Sequence, residues 1–240
     1  MTSIGLVHGL GTGPAVWDRL LGLLPPTVNA WVFSLPWDAA DGYGWALDGE
    51  PRRWLAEALR LVPEPPEVIV AHSFGANVVL DYLCAGGDAT GLAGLVLVSP
   101  FYRATPEGLD WAALTHYVND FPEVLKAGIL ARQSTPAPPD LVRAMAEKVR
   151  DRIGAYGWLS FFRLFSATPA LGLGAVQVPC LVVGGGTDTA SYPEDCTRLA
   201  AGLPRGSAVI LQRCGHFTML DDPPAVAELL VKFLHDIGSS

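Results

Sequence analysis

Charge is what this chain of 240 residues has little of: 17% of its residues are Asp, Glu, Lys or Arg, against 50% hydrophobic. That balance excludes a disordered polypeptide, which stays open through low hydrophobicity and high charge. Basic residues are fewer still, 16 against 24 acidic ones, for a formal net charge of −8. An acidic surface repels phosphate backbones, so nucleic acid is excluded as a partner, and the acidity is read as serving solubility. No run of like charges forms a binding tail, and there is no internal repeat or low-complexity segment.

Cysteine is also sparse. Cys84, Cys180, Cys196 and Cys214 form no Cys-x-x-Cys pair and no zinc-like spacing, and nothing in them asks for an oxidising compartment. Cys84 and Cys180 sit in apolar segments and read as buried small hydrophobes, as does Cys214 despite lying two residues before His216. Long hydrophobic runs are missing: Leu92 to Val98 is too short to span a membrane, and Gly and Pro interrupt Leu171 to Gly186. The first apolar run, Ile4 to Val7, passes straight into His8-Gly9 without the features of a signal peptide. The expectation is a soluble, cytoplasmic protein without membrane insertion. Nothing in the chain reports its oligomeric state.

What is present is an alternation of short apolar runs with helical patterns, on a length suited to one large domain. Strands are predicted at Ile4 to Val7, Asn29 to Ser34, Val68 to Ala71, Gly94 to Ser99, Pro179 to Gly184 and Ser207 to Gln212. Helices are predicted at Trp17 to Leu24, Trp54 to Val62 and Phe74 to Ala85, and at the C-terminus. There Asp222 is the expected N-cap, Pro223 fits the first turn and Gly238 is the stop. Four strands are unbroken apolar runs, the pattern of strands covered on both faces in a parallel sheet. An α/β, doubly wound architecture follows.

From Phe101 to Val176 the rhythm breaks. This stretch carries helical patterns, a Pro-rich turn at Thr135 to Pro139 and an aromatic group of Trp111, Tyr117, Trp158, Phe161, Phe162 and Phe165. It reads as a helical cap, residues 101–176, inserted into a core made of residues 1–100 and 177–240.

The sharpest local feature is Val68-Ile69-Val70-Ala71-His72-Ser73-Phe74-Gly75-Ala76: a strand ends, one Ser follows and a helix begins. Such a turn exposes the hydroxyl at the carboxyl edge of the sheet and needs small residues two before and two after it, here Ala71 and Gly75. Ser is also a good helix cap, so this motif alone leaves a structural role open. It resembles the nucleophile elbow of the α/β-hydrolase superfamily, Gly-x-Ser-x-Gly, with Ala71 replacing the first Gly. A Ser hydroxyl needs a base and the base needs an orienting carboxylate. Two further loops resemble those of the same family. Cys214-Gly215-His216 follows the last strand, and Gly184-Gly185-Gly186-Thr187-Asp188 follows the strand before it. The alternative acid position, after the fourth strand, reads Ser99-Pro100-Phe101-Tyr102-Arg103 and holds no acid; Glu194 and Asp195 fall in the next helix. The resemblance therefore implies a Ser73, Asp188, His216 triad in the family's chain order.

The resemblance also implies an oxyanion hole from the backbone N–H groups of Phe74 and of Leu10, the latter in the loop His8-Gly9-Leu10-Gly11. Trp17 reads as packing. The chain departs from the family pattern by starting at the His-Gly strand, without the usual antiparallel pair, so a wholly parallel sheet of about six strands is expected. The implied reaction is hydrolysis through an acyl-enzyme of a small or medium apolar carboxylic ester, with no cofactor and no metal. Thioester cleavage, carbon–carbon bond hydrolysis and a lyase use the same parts, and a ligand receptor with little turnover retains them too. For a lyase, Lys126, Arg132 and Arg163 are the cations on offer, each of which also fits a solvated face.

Overall fold

The computed structural model describes residues 2–38, 40, 42–133, 135 and 137–239. Among the described residues six strands make one sheet: β1 (Thr2–Val7), β2 (Val28–Val32), β3 (Val68–His72), β4 (Gly94–Val98), β5 (Cys180–Gly185) and β6 (Gly206–Leu211). Their order is β2-β1-β3-β4-β5-β6, and every pairing is parallel. This is the all-parallel sheet expected from the apolar runs. In β3 and β4 every residue is buried, which is why neither alternates polar with apolar. The edge strands β2 and β6 are only half-buried.

The helices are α1 (Asp18–Leu21), α2 (Pro51–Leu61), α3 (Phe74–Cys84), α4 (Trp111–Arg132), α5 (Pro139–Ala167), α6 (Pro193–Gly202), α7 (Thr218–Asp221) and α8 (Pro223–Gly238). Helix α1 packs with α8, and α2 with α3. Right-handed crossovers place these pairs on opposite faces, because the chain first steps outward from β1 to β2 and then returns past β1 to β3. The result is three layers. The first helix is shorter than predicted: Pro14–Trp17 forms a 3₁₀ turn, and α1 ends at Gly22, which weakens propagation ahead of Pro25-Pro26. Helix α2 starts earlier than predicted because Pro51 suits a first turn. Helix α8 matches its signals, with Asp222 Oδ1 accepting from the Ala225 N–H at 3.1 Å.

Between β4 and β5 stand α4 and α5, packed against each other. The predicted Pro-rich turn lies between them, its Pro136 outside the described residues. Helix α4 contains Pro122, and α5 turns at Gly154 (φ 63°, ψ 172°), a conformation only glycine adopts readily. Most of the predicted aromatic group forms one cluster: Tyr117, Phe161 and Phe165 pack on Phe101, as does Phe121, which the prediction did not include, and Trp158 and Phe162 pack on Phe161. Trp111 is a correction. It starts α4 with 84% of its surface exposed, outside the cluster. Cys84 is another, half-buried near the end of α3 instead of fully buried.

Candidate active site

In an open parallel sheet the loops leaving neighbouring strands diverge where the strand order reverses, and a crevice forms at their carboxyl ends. Here that point lies between β1 and β3. It brings the His8–Gly11 loop beside Ser73.

Ser73 adopts φ 55°, ψ −125°, a backbone state costing about 1–3 kcal/mol for a residue with a Cβ. Its neighbours hold it there. The Ser73 N–H donates to the Val98 carbonyl at 2.8 Å, and its own carbonyl accepts from Ala76 and Asn77 as α3 begins. Gly75 is required by contact: a Cβ there would collide with the His8 carbonyl oxygen and lie 2.9 Å from Val7.

Asp188 and His216 arrive from the loops after β5 and β6. His216 Nδ1 lies 2.8 Å from Asp188 Oδ2 and its Nε2 lies 2.9 Å from Ser73 Oγ. The carboxylate can only accept, so Nδ1 carries the proton in the neutral ring and Nε2 is free to accept from the hydroxyl. The other oxygen, Asp188 Oδ1, accepts from the N–H groups of Ala190 (2.8 Å) and Ser191 (3.0 Å). All three side chains are buried. Loop approach again depends on glycine: a Cβ on Gly185 would strike the Gly215 carbonyl.

Leu10 and Phe74, the two expected oxyanion donors, are buried, and among the described residues neither N–H has an acceptor. The loop carrying Leu10 is stitched in place. His8 Nδ1 donates to the Gly9 carbonyl (2.9 Å), His8 Nε2 accepts from the Leu35 N–H (3.2 Å), and Trp37 Nε1 donates to the His8 carbonyl (2.9 Å). Burial pushes the His8 pKa down, consistent with a neutral ring holding both bonds.

Several supporting residues escaped the sequence reading. Asn77, a polar side chain among the otherwise apolar buried residues of α3, clasps the Phe101 backbone both ways, at 2.7 and 3.1 Å. Phe101 is thereby held with its ring 5.4 Å from that of His216. Arg103 pairs with buried Asp195 and donates to the Tyr117 hydroxyl at 3.0 Å; that hydroxyl donates to the Ala190 carbonyl at 2.8 Å, on the loop of Asp188. The sequence offered only an Arg following Phe101-Tyr102 after the fourth strand, and neither its burial nor its partners can be read from that. Lys126 and Arg163 are spent in ion pairs with Glu123 and Glu50. Burial raises the Cys214 thiol pKa, keeping it protonated beside the His216 loop. Among the described residues no cluster of His, Cys, Asp or Glu is placed to hold a metal ion, and no helix is long and apolar enough to cross a membrane. A groove of about 380 Å³ opens between α4 and α5, walled by Tyr117, Phe121, Pro122, Trp158 and Phe162. Phe101 stands beside both Phe121 and His216, and so links the groove's wall to the three hydrogen-bonded side chains.

Residues 6–229 match the sequence profile of the α/β hydrolase family. The chain belongs to that family. This α/β hydrolase is similar to a pimeloyl-(acyl-carrier protein) methyl ester esterase of Aromatoleum aromaticum, at 28% identity over 94% of this chain and 95% of the relative. It is also similar to an enzyme of the same name from Neisseria meningitidis, at 26% identity over 97% of this chain and 76% of the relative. Among solved structures, an esterase from Exiguobacterium antarcticum shares the α/β hydrolase fold with a TM-score of 0.66 at 17% identity. That match covers 98% of this chain and 92% of the other.

Proposed function

We propose that this α/β hydrolase is a serine ester hydrolase working through an acyl-enzyme. The reading rests on one observation above all: the continuous hydrogen-bonded chain Asp188–His216–Ser73, at 2.8 and 2.9 Å. Ser73 Oγ attacks the ester carbonyl while His216 Nε2 takes its proton; Asp188 holds the ring's tautomer and stabilises its charged form. The N–H groups of Leu10 and Phe74 stabilise the oxyanion, an effect worth about 10²–10³ in rate per donor. His216 then protonates the departing alcohol. A water gives it a proton in turn and attacks the acyl-enzyme, and His216 returns that proton to Ser73 Oγ as the acid is released.

The substrate class we assign is a small or medium apolar carboxylic ester. Residues 101–176 act as a cap on the core of residues 1–100 and 177–240, and the groove between α4 and α5 receives the apolar part. The curated relatives are named for cleaving a methyl ester, which supports a small alcohol as leaving group. The lyase reading loses support, because two of its three candidate cations are already paired.

The test is hydrolysis of p-nitrophenyl acyl esters of increasing chain length by wild type and Ser73→Ala. Wild-type turnover that falls about 10⁶-fold in the variant supports the reading. Equal rates would remove Ser73 as nucleophile, and a folded wild type inert on every ester would remove ester hydrolysis.

A further inference from the structure

His72 is a fully buried imidazole immediately before Ser73 that the reaction above does not use. Its Nε2 lies 3.1 Å from the backbone carbonyl oxygen of His216. A carbonyl only accepts, so His72 Nε2 carries the proton and donates it to that bond. Among the described residues no other group donates to the His216 carbonyl. The backbone of the proposed general base is thus held at this point by the side chain next to the nucleophile.

The ring's other contacts make it a spacer as well as a donor. It lies 5.1 Å from the His216 ring and 5.1 Å from that of Phe217, with Trp17 edge-on at 6.5 Å. A Cβ built on Gly9 would come within 2.9 Å of His72 Nδ1, so the loop carrying Leu10 rests against the same ring. One side chain therefore touches the loop of the oxyanion donor, adjoins the nucleophile and bonds the residue supplying the base.

We propose that His72 is a positioning residue whose Nε2–H fixes the His216 backbone, and with it the distance from His216 Nε2 to Ser73 Oγ. His72 keeps its own proton throughout. Burial pushes its pKa well below the ordinary value, in keeping with a ring that stays neutral while His216 cycles through its charged form. The proposal rests on the serine-hydrolase reading. Its consequence is a turnover effect, since misplacing a reacting group by about 1 Å costs on the order of 10² in rate.

The experiment compares wild type, Ser73→Ala, His72→Phe and His72→Gln on p-nitrophenyl butyrate, with thermal melting as the folding control. Phe keeps the ring's bulk and removes the donor; Gln places an N–H donor close to the original Nε2. The expected result is a kcat about 10- to 100-fold lower in His72→Phe, with KM within about threefold. His72→Gln should recover most of the loss, which a purely packing role would not produce. Wild-type kcat in folded His72→Phe overturns the proposal, and so does a His72→Gln variant as slow as His72→Phe. If His72→Phe fails to fold, His72→Met against His72→Gln carries the same comparison. Activity retained in Ser73→Ala would instead overturn the parent reading, so the two failures are distinguishable.

Discussion

Asp188 binds His216 through one carboxylate oxygen only: Oδ2 faces Nδ1 at 2.8 Å while Oδ1 is occupied by the N–H groups of Ala190 and Ser191. The carboxylate thus orients the ring while its own rotation is blocked by the loop that delivers it. Asp188→Asn preserves the shape but offers an amide N–H where an acceptor is needed, favouring the wrong imidazole tautomer. Turnover of p-nitrophenyl esters should fall by about 10⁴ with little change in melting temperature. A loss under tenfold would assign the orienting role to another group.

Gly75→Ala pushes a Cβ into the His8 carbonyl, a backbone atom that cannot rotate away. The variant should lose about 1–3 kcal/mol of stability, as overpacked sites do. Because the collision separates the strand bearing the Leu10 loop from the start of α3, activity should fall further than the unfolded fraction explains. Chemical denaturation beside steady-state kinetics separates the two effects.

Burial lowers the pKa of His8 and lowers that of His72 well below the ordinary 6.5. Both rings stay neutral in the fold as pH drops, whereas the unfolded chain takes up protons below about pH 6.5. The unfolded state then binds more protons, so the stability due to these rings is full above pH 6.5 and is lost as pH falls towards the folded pKa values. Melting temperature should decline from pH 7 to 5.5. His72→Gln should flatten that decline by up to about 1.4 kcal/mol per pH unit. An unchanged slope in the variant would trace the dependence to other groups.

Arg103 and Asp195 are buried together, and burial raises the Asp195 pKa even beside the guanidinium. Arg103→Met leaves that carboxylate with only Arg198, at 3.0 Å, and the Tyr117 hydroxyl without a donor. The expected cost is about 1–3 kcal/mol, read by denaturant unfolding. The double variant Arg103→Met, Asp195→Leu should regain much of it. A single variant as stable as wild type would show that the pair contributes nothing.

Trp158 walls the groove between α4 and α5 and packs edge-on against Phe121, at 4.4 Å between ring centroids. If the groove takes the apolar end of the substrate, Trp158→Ala should raise KM for octanoyl esters several-fold while leaving acetyl esters almost unaffected. Equal effects on both chain lengths would remove the groove from the substrate path.

Much of this molecule was legible before its structure, for a physical reason. Unbroken apolar runs such as Val68 to Val70 report two-sided burial, and small residues beside Ser73 report a tight turn; both are properties of a few consecutive residues. Ser73, Asp188 and His216 each follow a strand end, and a parallel sheet gathers such ends on one edge, so their convergence is encoded in the alternation itself. Glycine spacing at Gly75 and Gly185 belongs to the same local code. Trp111 shows the limit: an aromatic in a helical pattern says nothing about which way it faces, and this one faces solvent.

Tertiary structure alone decided the partners that stabilise those ends. Arg103 reaching Asp195, Asn77 clasping Phe101 and His72 bonding the His216 carbonyl join residues 92, 24 and 144 positions apart. No local pattern specifies such a pairing, because the hydrogen-bond geometry exists only once separate strands have set the distance between the loops.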